Sequence, residues 1–132
     1  MKIPSDKAVL ESIFKNYKKD FEKFESRQNK IYVPIDCKLI AKELKTEPDI
    51  IFGRLYYHLE QKYGYKRTDG SNVHFFALAV GVDQKCVNFP LLCSVLAGLQ
   101  EEARKHLSSQ AIAFAALVVS ILSLLVSLSN NA

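Results

Sequence analysis

The stretch AIAFAALVVSILSLLVSL, Ala111 to Leu128, limits what this chain can be more than any other. It is eighteen residues without a charge. As a helix it is about 27 Å long, close to the roughly 30 Å of a bilayer's hydrocarbon core. The uncharged flanks, Leu107–Gln110 and Ser129–Ala132, extend it to full thickness. A soluble amphipathic helix shows a polar face, whereas this one offers only serine and alanine. Three fates are open to it: a membrane anchor, the seam of a soluble oligomer, or a core helix. The anchor is the expectation, because Arg104, Lys105 and His106 stand immediately before it. By the positive-inside rule they hold the preceding residues in the cytoplasm. The expected location is the membrane, as a single-pass tail anchor with the N-terminal domain in the cytoplasm.

Charge follows the same division. The 18 Lys and Arg and the 14 Asp and Glu all precede Leu107. This gives a body over 1–106 and a transmembrane and oligomerisation helix over 107–132. The net charge of +4 divides into +3 for residues 1–30, +1 for 31–80 and zero for 81–107, a mild basic signal for a nucleic-acid binder. Cys37, Cys86 and Cys93 form no CxxC pair, and His58, His74 and His106 show no ligand spacing with them, so no metal is expected. The opening MKIPSDKAVLESIF has no apolar signal-peptide core. GxSxG, P-loop, HExxH and paired-carboxylate patterns are absent. Neither an enzyme nor a cofactor is expected.

Within the body, Ser5 or Asp6 caps a helix read as far as Ser26, with Val9, Leu10, Ile13, Phe14, Tyr17, Phe21 and Phe24 on one face. NKIYVPI reads as a short strand, confined to a sheet edge by Pro34. Asp36 caps a second helix, CKLIAKEL, with Leu39, Ile40 and Leu44 inward. Pro48 opens a third, with Phe52, Leu55, Tyr56, Leu59 and Tyr63 inward. Asp69-Gly70 marks a hairpin from Tyr65 to Val80, whose return strand is apolar on both faces and so expected to be covered on both. GVDQKCVN reads as a polar turn. Asn88 then caps a helix with Leu92, Val95, Leu96, Leu99 and Ala103 inward, in which Gly98 points to close packing against a neighbour.

The run IAKELKTEPDIIFGRLYYHLEQKYGYKRTDGSNVHFFAL, Ile40 to Leu78, resembles the winged helix-turn-helix superfamily. The fold class expected is therefore α+β: a winged helix-turn-helix domain with a C-terminal apolar helix. The resemblance implies a recognition helix over Asp49–Lys62 and a wing over Tyr65–Val80. It implies that Arg54, Tyr57, His58 and Gln61 face a DNA groove, with Lys66 and Arg67 on phosphates, as in a regulator of bacterial type. Many members place Gly in the turn between the two helices; Lys45-Thr46-Glu47 stands there instead.

In the tail, Ser109, Ala113, Ala116, Ser120, Ser123 and Ser127 recur at spacings of four and three. Such a seam lets helices approach closely and pair in lipid. The expected function is a membrane-tethered winged-helix protein that binds double-stranded DNA and forms a homo-oligomer through its tail. The alternative is a small membrane effector or adaptor, whose winged domain binds a protein partner and whose tail assembles among membrane lipids.

Overall fold

The structure is a computed structural model that describes residues 1–25, 27 and 29–131. Ser5 starts the first helix, α1 (Asp6–Glu22), by accepting a hydrogen bond from the Ala8 N–H at 3.1 Å. Val9, Leu10, Ile13 and Tyr17 are buried along it as the spacing predicts. The helix ends at Glu22, so Phe24 lies beyond it and is exposed, and Ser26 falls outside the described residues. Phe14 is also partly exposed: its ring and that of Phe21 stack on Phe89, at 5.9 and 4.9 Å between centroids.

Strand β1 (Tyr32–Pro34) lies at a sheet edge, as Pro34 requires. Asp36 caps α2 (Cys37–Leu44), with its carboxylate accepting from the Lys38 N–H at 2.9 Å. Its own N–H donates to the Tyr17 hydroxyl at 2.7 Å, tying the cap to α1. The inward residues of α2 are Cys37, Ile40 and Ala41, while Leu39 is exposed and Leu44 half-buried. The inward face is thus turned away from the expected one, with Cys37 rather than Leu39 at its start. Lys45 ends α2 in the left-handed region, at φ 57° and ψ 45°. That is the conformation for which glycine is usual, and a lysine adopts it here at modest cost.

The third helix opens with α3 (Pro48–Gly53), widens into a π-helical segment over Arg54–Leu59, and closes as α4 (Glu60–Tyr63). The signature of the wide turn is the Glu60 N–H donating to Leu55 O, five residues back. Ile51, Leu55 and Leu59 are its buried residues. Leu55 and Leu59 are inward as expected, but Ile51 takes the place expected for Phe52, and Tyr56 is exposed.

The hairpin expected over Tyr65–Val80 is two hairpins. Strands β2 (Tyr65–Lys66) and β3 (Asn72–Val73) form the first, around Asp69-Gly70, with Gly70 at φ 88°. The second joins β4 (Phe76–Val80) to β5 (Asp83–Asn88), so GVDQKCVN is mostly strand rather than turn. The three-stranded antiparallel sheet runs in the order β1-β5-β4. Its register pairs Val33 with Val87 on one side and Phe76 with Val87 on the other. As the central strand, β5 buries Cys86, Val87 and Asn88. Strand β4 is an edge, and its Leu78 is 49% exposed, so the expected cover on both faces extends only over Phe75 and Phe76.

Asn88 opens the last helix, α5 (Phe89–Asn130), by accepting from the Leu91 N–H at 3.1 Å. Phe89, Leu92 and Leu96 are buried. An added Cβ at Gly98 would meet open space, so no described neighbour packs there. The chain divides into two compact units, Met1–Ala97 and Gly98–Ala132. In the second, every described residue from Arg104 onward is exposed. The most apolar window of this helix has a mean hydropathy of 2.7, and the helix is long and apolar enough to cross a membrane.

Candidate interaction surface on the body

Asp6 organises one side of this surface. At the first turn of α1 its carboxylate favours the helix dipole. One oxygen accepts from Arg54 Nη1 at 2.9 Å and the other lies 3.2 Å from His58 Nε2. Both partners come from the π segment, and the side chains of Asp6 and Arg54 are only 21% and 18% exposed. Two of the four helix residues expected to face a groove are thus held against the body itself. The other two, Tyr57 and Gln61, are exposed.

Tyr57 ends a chain of rings that leads out from the core. Phe76 meets Phe52 edge-on at 5.8 Å, Phe52 stacks on Tyr56 at 5.4 Å, and Tyr56 meets Tyr57 edge-on at 5.0 Å. At the outer end Tyr57 is 71% exposed.

Beyond α4 the chain turns sharply at Gly64, where an added Cβ would stand 2.6 Å from the Glu60 carbonyl oxygen. Only glycine fits that approach. The turn brings β2 and β3 back beside α4 and leaves an open groove of 340 Å³, lined among others by Gln61, Tyr65, Lys66, Asn72 and His74. Its floor is fixed by Glu60, which accepts from the Phe76 N–H at 2.7 Å and pairs with His74 Nδ1 at 2.9 Å. Lys66 and Arg67 are exposed and have no ion-pair partner among the described residues. The adjoining turn is braced: Asp69 accepts from the Ser71 hydroxyl and N–H, and those bonds hold its carboxyl below the usual range.

Asp6 and Glu60 organise the surface, yet the sequence marks Asp6 only as a cap and gives no sign of Glu60. An acidic residue in the first turn of a helix is the one signal available, and it points to Asp6 alone.

Burial raises the pKa of Cys37, Cys86 and Cys93, which works against the thiolate form. On the tail, Ser109, Ala113, Ala116, Ser120, Ser123 and Ser127 are all helical and exposed. The Ser120 hydroxyl donates to Ala116 O at 3.0 Å, which satisfies it within its own helix. No protein-family model matches this chain, and neither a curated protein nor a solved structure shows significant similarity to it.

Proposed function

We propose that this chain is a single-pass, membrane-tethered winged-helix-type protein that binds nucleic acid at the cytoplasmic face and associates through its tail. The observation that carries the nucleic-acid reading is the pair Lys66 and Arg67, exposed and without ion-pair partners among the described residues, beside the helix that bears Tyr57 and Gln61. The element order supports the winged-helix comparison: helix, strand, two helices, and a hairpin whose last strand pairs with the first. In that frame the wing is the β4–β5 hairpin, with a tip at Gly81-Val82, and β2–β3 is an insertion after the recognition helix. Val82 is 82% exposed and uncharged, so phosphate contacts fall to the insertion.

The tether rests on the exposed apolar helix. An uncharged helical stretch of this hydropathy cannot stand in water without cover. Lipid covers it, and the serine and alanine seam lets two copies pair there. Arg104 and Lys105 keep the body in the cytoplasm.

The test is binding of labelled nucleic acid by the full chain in neutral micelles across a salt series. Changing Lys66 and Arg67 to Ala should weaken binding and flatten its salt dependence by about 0.7–0.9 in log–log slope for each phosphate no longer neutralised. Unchanged binding removes the hairpin from the reading. Resistance to alkaline extraction from membranes, with the body open to protease only after the cytoplasmic side is exposed, tests the tether. A second reading, an adaptor that binds a protein, is favoured by the retention of Arg54 and His58 on Asp6.

A further inference from the structure

We infer that the nucleic acid this surface takes is single-stranded, held by stacking on Tyr57 and Tyr65 with its backbone on Lys66 and Arg67. The inference rests on the nucleic-acid reading above and narrows it.

Duplex recognition by a helix needs side chains that reach base edges, preferably in bidentate pairs. On the third helix Arg54 and Gln61 are the groups of that kind, and Asp6 holds Arg54. His58 is held by the same carboxylate. Gln61 alone of these readers stays free, and the other outward groups are of another type. Tyr57 is 71% exposed and Tyr65 53% exposed. Aromatic faces of this kind gain little from a stacked duplex, whose bases are already paired and covered. They suit bases that have been splayed apart, since every base has a face to stack.

The charges complement this. Lys66 follows Tyr65 directly and lines the same 340 Å³ groove as Gln61 and Asn72. That volume is at the lower end of small-ligand clefts, about 300 Å³ upward. Arg67 comes next along the chain, at the hairpin turn. Neither cation is paired with a carboxylate among the described residues. The acidic groups of this region are committed, Glu60 to His74 and the Phe76 N–H, and Asp69 to Ser71. Tyr65 and Lys66 line the groove, with Tyr57 exposed on the preceding helix and Arg67 at the adjoining turn; rings and unpaired cations of this kind match the requirements of a flexible polyanion with exposed bases. Gln61 and Asn72 supply amide groups that hydrogen-bond base edges without demanding one sequence.

The test measures fluorescence anisotropy of labelled oligo(dT), oligo(rU) and a duplex of equal length with the full chain in neutral micelles. A single strand should bind about tenfold more tightly than the duplex, and Tyr65→Leu should cost about tenfold for the single strand alone. Tyr57→Leu should act in the same direction. Both positions are exposed, and leucine keeps a helix or strand intact; circular dichroism checks that the fold survives. Equal affinity for oligo(dT) and oligo(rU) identifies a reader of stacking and phosphate; a preference for one names the source. Duplex binding as tight as single-strand binding, or binding that ignores both tyrosines, overturns the inference and leaves the broader reading standing. Absence of binding to all three at low salt overturns both and makes the surface a protein contact.

Discussion

The body and the tail handle apolar side chains in opposite ways. In Met1–Ala97, Leu10, Ile13, Ile40, Leu55, Leu59, Phe75 and Leu92 are fully buried. From Leu107 onward residues of the same kind, such as Ile121 and Leu124, are more than half exposed. A single helix, α5, contains both conditions: Phe89, Leu92 and Leu96 are covered, and the residues after Arg104 are not. Burying a leucine is worth about 2 kcal/mol wherever it happens. The body obtains that within its own fold, and in the proposed reading the tail obtains it from lipid and another copy. The two regions should therefore fail independently.

The largest effect is expected from Leu55→Ala, at the fully buried centre of the third helix. It should cost the body about 3 kcal/mol, read from denaturant unfolding of the full chain in micelles. Membrane retention should not change. Loss of membrane retention together with folding would show that the two regions depend on each other.

Next comes the triple change of Ser120, Ser123 and Ser127 to Leu. The Ser120 hydroxyl is satisfied within its own helix, so at about 0.6 kcal/mol for each of the other two, dimer dissociation in lipid should rise roughly sevenfold. The body's unfolding midpoint should stay where it is. An unchanged dissociation constant would remove the seam from the account and leave the tail as a simple anchor.

Asp6→Asn should cost the body about 1 kcal/mol, since it leaves Arg54 half-buried without its carboxylate. It also sharpens the reading of the surface. With Arg54 and His58 released, duplex affinity should rise severalfold while single-strand affinity changes little. A fall in both would mean that the clamp shapes the binding surface itself.

The smallest effect belongs to Glu43. Its carboxylate is held at about 2, below its ordinary 4.5, by hydrogen bonds from Lys15 first and then Ser12 and Asn16. A depressed acid contributes stability above its unfolded pKa and loses it as pH falls through the folded value. The contribution should be complete above about pH 5 and vanish toward pH 2. Because Lys15 is largely exposed, solvent screening keeps it to about 1 kcal/mol or less. Glu43→Gln should flatten acid unfolding over that window, and an unaltered acid profile would show that the cluster is worth nothing in solution.

Local chemistry was legible wherever one residue acts on its immediate neighbours. The caps at Ser5, Asp36 and Asn88, Pro48 at a helix start, the Asp69-Gly70 turn and the edge position of Pro34 all appear where the residue types predict them. Several local readings fail, and two are instructive. GVDQKCVN reads as polar because of Asp83, Gln84 and Lys85, yet Cys86 and Val87 make it the central strand. The π segment carries no residue signature, and Tyr56 within it is exposed rather than in the expected core.

The candidate surface divides along the same line. Lys66, Arg67, Tyr57 and Gln61 are exposed as expected, but nothing in the sequence distinguishes them from Arg54 and His58, which sit among them. Asp6 lies forty-eight residues from Arg54, and Glu60 sixteen from Phe76.

Sequence alone determined the apolar helix, its uncharged composition, the helix starts and the turn, because each depends on residues within a few positions along the chain. Tertiary structure alone determined which strand became central, which cations were paired off and which tyrosines were left in solvent. Those outcomes depend on side chains brought together from distant positions, and a pattern of nearest neighbours carries no record of them.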